Sequence, residues 1–140
     1  MVRAMSRRLV LLGVLVVCTG CLWRGYATIM SVHLDVLTQM AAKLCSVVEA
    51  GRGPTAEGMA EYTYPAQRGR EFLRQFSRYK AQRSYQEFGT FLGRYEAMVH
   101  DVDAARAEGR DWRMVSPALQ AQRDRLLQLA AAIRADLKTE

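Results

Sequence analysis

Ile29-Met30-Ser31-Val32-His33-Leu34-Asp35-Val36-Leu37-Thr38-Gln39-Met40-Ala41-Ala42-Lys43-Leu44-Cys45-Ser46-Val47-Val48-Glu49 is the stretch that decides the fold. Drawn at 3.6 residues per turn, Ile29, Met30, His33, Leu37, Met40, Ala41, Leu44, Val47 and Val48 share one arc. Asp35, Thr38, Gln39, Ala42, Lys43, Ser46 and Glu49 occupy the other, and Val32 is the one misfit. An apolar stripe opposite a polar one is the pattern of a helix packed against other helices. Gly51-Arg52-Gly53-Pro54 then stops it, with residues that tolerate unusual backbone angles or cannot continue a helix.

Toward the C-terminus the same period recurs. Thr55 is placed to cap a short helix reaching about Thr63, and Tyr64-Pro65 is expected to break it, because the residue before proline avoids helical angles. A second long helix is predicted over 65–82, with Phe72, Leu73, Phe76 and Tyr79 on its apolar face. Ser84-Tyr85-Gln86-Glu87 reads as a capping box opening a third, which carries Tyr85, Phe88, Phe91, Leu92, Tyr95, Met98, Val99 and Val102 as far as Gly109. Arg110–Val115, with Trp112, reads as a loop. Ser116-Pro117 starts the last helix, which follows Leu119, Leu126, Ala130, Ile133 and Leu137 to about Lys138. No stretch alternates like a strand. The expected fold is all-α, a small antiparallel four-helix bundle over 29–140.

Toward the N-terminus the pattern changes character. Arg7-Arg8 precede the apolar run Leu9–Val17, and Thr19-Gly20 precede Cys21. A positive start, roughly 7–15 apolar residues and small residues at the end are the parts of a secretory signal peptide. Thr19-Gly20-Cys21 resembles the bacterial lipobox, in which two small residues precede a lipidated cysteine. Cys18 stands where that pattern usually has Leu or Val. The resemblance implies a signal peptide over 1–20, an acylated Cys21 followed by a tether over 21–28, and attachment to a bilayer facing the periplasm. By the sorting rules of enteric bacteria, Leu22 rather than Asp after the cysteine favours the outer membrane. The alternative is an uncleaved single-pass anchor, although the charge-free run from Leu9 to Trp23 is shorter than the ~20 residues a spanning helix needs.

Composition bounds the function. Half of the 140 residues are hydrophobic and three are proline, which is not a disordered composition. Of the formal charge of +6, Arg3, Arg7 and Arg8 lie in the signal, leaving 17 basic and 14 acidic residues. That balance lacks the dense basic stripe of a phosphate-binding surface, so nucleic acid is not an expected partner. Three cysteines do not suit a disulfide framework.

The remaining candidates are few. Arg70, Arg74 and Arg78 recur every four residues in a run otherwise containing Arg68, Lys80, Arg83 and one acid, Glu71. On a continuous helix they form a basic face opposite Phe72, Phe76 and Tyr79, suited to anionic lipid or an acidic partner, or simply to water. Gly89, Gly93 and Ala97 form a small-residue line, expected where a neighbouring helix packs close. His33 and His100 have no further ligands at metal-site spacing, so no metal is assigned. His33 reads as a hydrogen-bonded core histidine. Cys45 reads as a buried, inert thiol, and no catalytic residue or cofactor motif is found.

These features point to a non-enzymatic lipoprotein that binds an envelope protein or helps an envelope assembly. In size and architecture alone it resembles the small helical lipoproteins that act as secretin pilotins. The competing expectation is a ligand- or haem-binding bundle using His33 or His100, with Met30 or Met40 as a possible axial ligand.

Overall fold

The computed structural model describes residues 2–140, with side chains from Leu22 onward. Arg7–Val17 and Thr19-Gly20-Cys21, which carry the signal-peptide and lipobox reading, lie outside the described side chains. Four helices, α1 (Val2–Glu49), α2 (Met59–Gln75), α3 (Arg83–Ala107) and α4 (Trp112–Thr139), are joined by short turns, with one 3-10 turn at Ser77–Tyr79. Each helix packs against its chain neighbours, and α1 also packs against α4. The bonds Lys43–Glu61, Arg70–Glu96, Gln122–Asp101 and Arg134–Asp35 run between helices of opposite direction. The fold is an all-α, antiparallel four-helix bundle.

Its core is one continuous cluster. Met30, Leu34, Leu37, Ala41 and Leu44 of α1 are fully enclosed, as are Phe88, Phe91, Leu92, Tyr95 and Met98 of α3 and Ala130 and Ile133 of α4. Val32, the misfit of the apolar arc, is 53% exposed beside Ile29 and Val36. Those three lie on the outward flank of α1, so Val32 is outside the buried arc as read, and Ile29, which was placed on that arc, is outside it as well.

Three local expectations are corrected, each because packing outweighs a local cue. Pro65 lies inside α2 and does not break it. Tyr62, Ala66 and Gly69 are buried on both sides of the proline and hold the helix in place. The Tyr95 hydroxyl donates to the Tyr62 carbonyl oxygen (2.8 Å), adding a tertiary bond one turn from where proline removes a donor. Second, α4 begins at Trp112 rather than at Ser116. Asp111 is its N-cap and accepts from the Arg113 amide (3.0 Å), and Trp112 and Val115 pack on the core. Third, Ser84 is not an N-cap. It lies inside α3, fully buried, and Gln82 precedes the helix.

The stretch 22–28, read as a tether, is part of α1 and part of the core. Tyr26 is fully enclosed, and Trp23 and Ala27 pack against the cluster. Set beside Met30, Leu34 and Leu37, Tyr26 continues the buried face by one more turn.

Two glycines end helices in the same way. Gly51 (φ 75°) and Gly109 (φ 64°) occupy the left-handed region. Their amides donate to the carbonyls of Val48 and Arg106, and the next amides, Arg52 and Arg110, to Val47 and Ala105. This is the Schellman arrangement, which satisfies the last carbonyls of α1 and α3.

Candidate functional site

The most unevenly distributed property of the surface is charge. Residues 22–35, 69–94 and 126–140 form the half of the bundle that α1 joins from the N-terminal segment. They carry nine basic and five acidic side chains, and the other half carries eight and nine. In the basic half the acids are engaged. Glu71 pairs with Arg68, Asp35 with Arg134, and Glu87 and Asp136 both with Arg83. Glu140 accepts from the Ser84 hydroxyl (2.6 Å) and amide (3.1 Å).

The structure breaks up the expected row of Arg70, Arg74 and Arg78. Arg70 turns toward α3 and makes a bidentate pair with Glu96 (Nε–Oε1 3.0 Å, Nη2–Oε2 2.7 Å), which raises its pKa above the ordinary value. The pair spans two helices, so its partner has no local signal in the sequence. Arg74 and Arg78 also leave a common register, because α2 ends at Gln75 and Arg78 belongs to the 3-10 turn. Both are exposed and, among the described residues, make no ion pair. The Arg78 guanidinium lies 5.9 Å from the centre of the Tyr79 ring, a cation–π distance. Arg24, Lys80 and Lys138 are also exposed at this end, again with no ion pair among the described residues.

Aromatic rings fill the same end. Tyr26 sits 4.4 Å from Tyr79 and 5.7 Å from Phe72, centre to centre, and Trp23 lies 5.0 Å from Tyr26 and 5.5 Å from Tyr79. The Tyr26 hydroxyl shares a 3.0 Å hydrogen bond with Ser84, and burial pushes its pKa up to about 12. A phenol held neutral there can bond Ser84 without adding charge beside the Glu140 carboxylate. Tyr26 and Ser84 are fully buried at this end, while Glu140, Arg24, Arg74, Arg78 and Lys80 are exposed. Sequence reasoning missed Trp23, Arg24 and Tyr26 as part of this end, because the chain before Ile29 was read as a tether. The signal was present in the spacing of Tyr26 from Met30.

The other candidates disperse. His33 packs between Phe72 (5.2 Å) and Phe88 (6.2 Å), and among the described residues it makes no hydrogen bond, contrary to expectation. Burial lowers its pKa, and Arg68 lowers it further. Met30 is fully enclosed, and Met40 packs against the core. His100 is exposed, on the rim of a groove of about 210 Å³ between α2 and α3 with Met59, Tyr62, Ala66, Tyr95 and Val99. Among the described residues, no three His, Cys, Asp or Glu side chains come together as a metal site. Cys45 is buried, its thiol pushed up by burial, and its Sγ donates to the Leu119 carbonyl oxygen (3.7 Å). The small-residue line does not mark the close helix packing expected of it at Gly89 and Gly93. At Gly89 and Gly93 an added Cβ meets nothing nearer than 3.9 Å, whereas at Gly69 it meets Leu92 Cδ2 at 2.7 Å. The close helix approach therefore lies at Gly69.

Among the described residues no helix is long and apolar enough to cross a membrane. Compared with family models, with curated proteins and with solved structures, the chain matches none.

Proposed function

We propose that this chain is a non-enzymatic lipoprotein, acylated at Cys21 and facing the periplasm, whose helical bundle binds or helps assemble other components of a bacterial envelope. The observation that carries this reading is where the packed domain begins. Trp23 joins the core two residues after Cys21, and Tyr26 is fully enclosed. A lipid on Cys21 would hold the bundle directly against the bilayer, with little slack for catalysis on distant substrates but a fixed orientation for a partner. The outer membrane is the favoured location on the identity of Leu22. The dispersal of His33, His100 and Cys45 supports a binding role over a catalytic one, since among the described residues the Cys45 thiol faces the Leu119 carbonyl and no base, and burial pushes its pKa up.

Mass spectrometry of the N-terminal peptide tests the reading. The expected product begins at a diacylglyceryl Cys21, and Cys21→Ser should abolish processing. Recovery of an intact Met1 or Met5 would favour the uncleaved anchor. Crosslinking in the native envelope then identifies the protein partner.

A further inference from the structure

We infer that the basic end of the bundle seats on anionic lipid headgroups, with Arg24, Arg74, Arg78 and Lys80 toward the bilayer and Trp23 and Tyr79 at its rim. This rests on the tether reading above and adds the partner surface and its chemistry. Reach is the first argument. Tyr26 is five residues past Cys21, about 7.5 Å along a helix, and the polar layer of each leaflet is about 5–7 Å deep. A bundle whose core starts at Tyr26 cannot stand clear of that layer.

Charge is the second argument. Anchoring alone would bring either kind of surface to the membrane, but the end adjoining Cys21 is the one with the excess of cations. Its carboxylates are already engaged by Arg68, Arg83, Arg134 and Ser84. The four named cations make no ion pair among the described residues. Basic groups beside an anionic leaflet each contribute about a fivefold change in partitioning, and Trp and Tyr favour the same depth. Arg70 has no part in this surface, because Glu96 holds it.

The test uses the full chain reconstituted in vesicles of phosphatidylcholine alone or mixed with phosphatidylglycerol. Trypsin cleavage after Arg78 and Lys80 is compared with cleavage after Arg110 and Arg113, at the opposite end of the same molecule. Seating predicts that phosphatidylglycerol slows the first pair at least about fivefold and leaves the second pair unchanged, with the protection lost at high salt. Arg24→Glu with Arg74→Glu, which leaves both cleavage sites intact, should remove the protection while the protein still floats with the vesicles. Equal cleavage on the two vesicle types overturns the inference. So does protection that requires an added acidic protein instead of lipid. A chain that fails to float at all overturns the tether reading instead, so the two failures are distinguishable.

Discussion

The two ends of the bundle are closed by different physics. At the end adjoining Cys21, aromatic rings and a polar triad, buried at Tyr26 and Ser84 and exposed at Glu140, close the core. Tyr26 and Ser84 share a hydrogen bond, and Glu140, the last residue, accepts from both the amide and the hydroxyl of Ser84. At the opposite end backbone conformation dominates. Gly51, Gly53 and Gly109 all have positive φ, and the Trp112 ring lies against Gly53. The first kind of closure depends on side chains 56 and 58 residues apart in sequence, the second on glycines that the turns themselves require. An end closed by distant side chains also keeps its outer surface available, and there Arg24, Arg74, Arg78, Lys80 and Lys138 are exposed and make no ion pair among the described residues.

The largest expected effect breaks the glycine-closed end. At Gly53 a Cβ would lie 2.1 Å from Trp112 Cζ2 on a backbone with φ of 57°. Gly53→Ala must therefore displace a ring and strain a turn, and should cost about 2–4 kcal/mol in chemical denaturation. Gly51 has φ of 75° but open space around it, so Gly51→Ala should cost only about 1–2 kcal/mol. Equal costs for the two would show that Trp112 does not lock this end.

Next comes the polar end. Ser84→Ala removes the partner of Tyr26 and one of the two donors to Glu140, inside a fully buried site. A loss of about 1–3 kcal/mol is expected, the cost of leaving buried polar atoms without partners. Removing the acceptor by Glu140→Ala should produce a loss that overlaps this one, since the two residues share a bond. Fully additive losses would show that the triad is not a unit.

How much of this was legible in the sequence follows from the reach of each interaction. Helix period is local, so Ile29–Glu49 and Tyr85–Val102 were readable, and with them the bundle. Gly51 and Gly109 were readable as stops for the same reason. The capping box at Ser84 was a sound local cue, but Glu140 arrives from the far end of α4 and supplies an acceptor at that amide. Likewise Pro65 and Ser116-Pro117 signalled boundaries that Tyr62 and Ala66 override by being buried and Trp112 by packing on the core. At the candidate site Arg70, Arg74, Arg78 and Lys80 were legible as a set, but Arg24 was not, because 22–28 read as a tether. Which of them were free was not, because Arg70 finds Glu96 on another helix.

A smaller pair of effects compares two glycines in the basic half. Gly69→Ala pushes its Cβ to 2.7 Å from a Leu92 methyl and must shift that side chain, at a cost of about 1–2 kcal/mol partly offset by better helix propensity. Gly93 meets only Arg70 Nη2 at 3.9 Å, so Gly93→Ala should stabilise by up to about 1 kcal/mol. Opposite signs in thermal melts are the expected result. A destabilising Gly93→Ala would return the close approach to the Gly89–Gly93 line.

The smallest effect probes the charge of the basic half from inside. His33 is half-buried between Phe72 and Phe88, and both burial and the nearby Arg68 lower its pKa below the ordinary 6.5. In the unfolded chain the imidazole takes up a proton as pH falls through 6.5, while in the folded bundle it stays neutral until a lower pH. Across that interval the unfolded state binds more protons, so stability should be full above pH 6.5 and decline as pH falls. One group limits the slope to less than about 1.4 kcal/mol per pH unit. His33→Phe should flatten this part of the profile. Arg68→Gln should shrink the decline without removing it, because burial is the larger cause. An unchanged profile in His33→Phe would show that His33 does not carry the acid sensitivity.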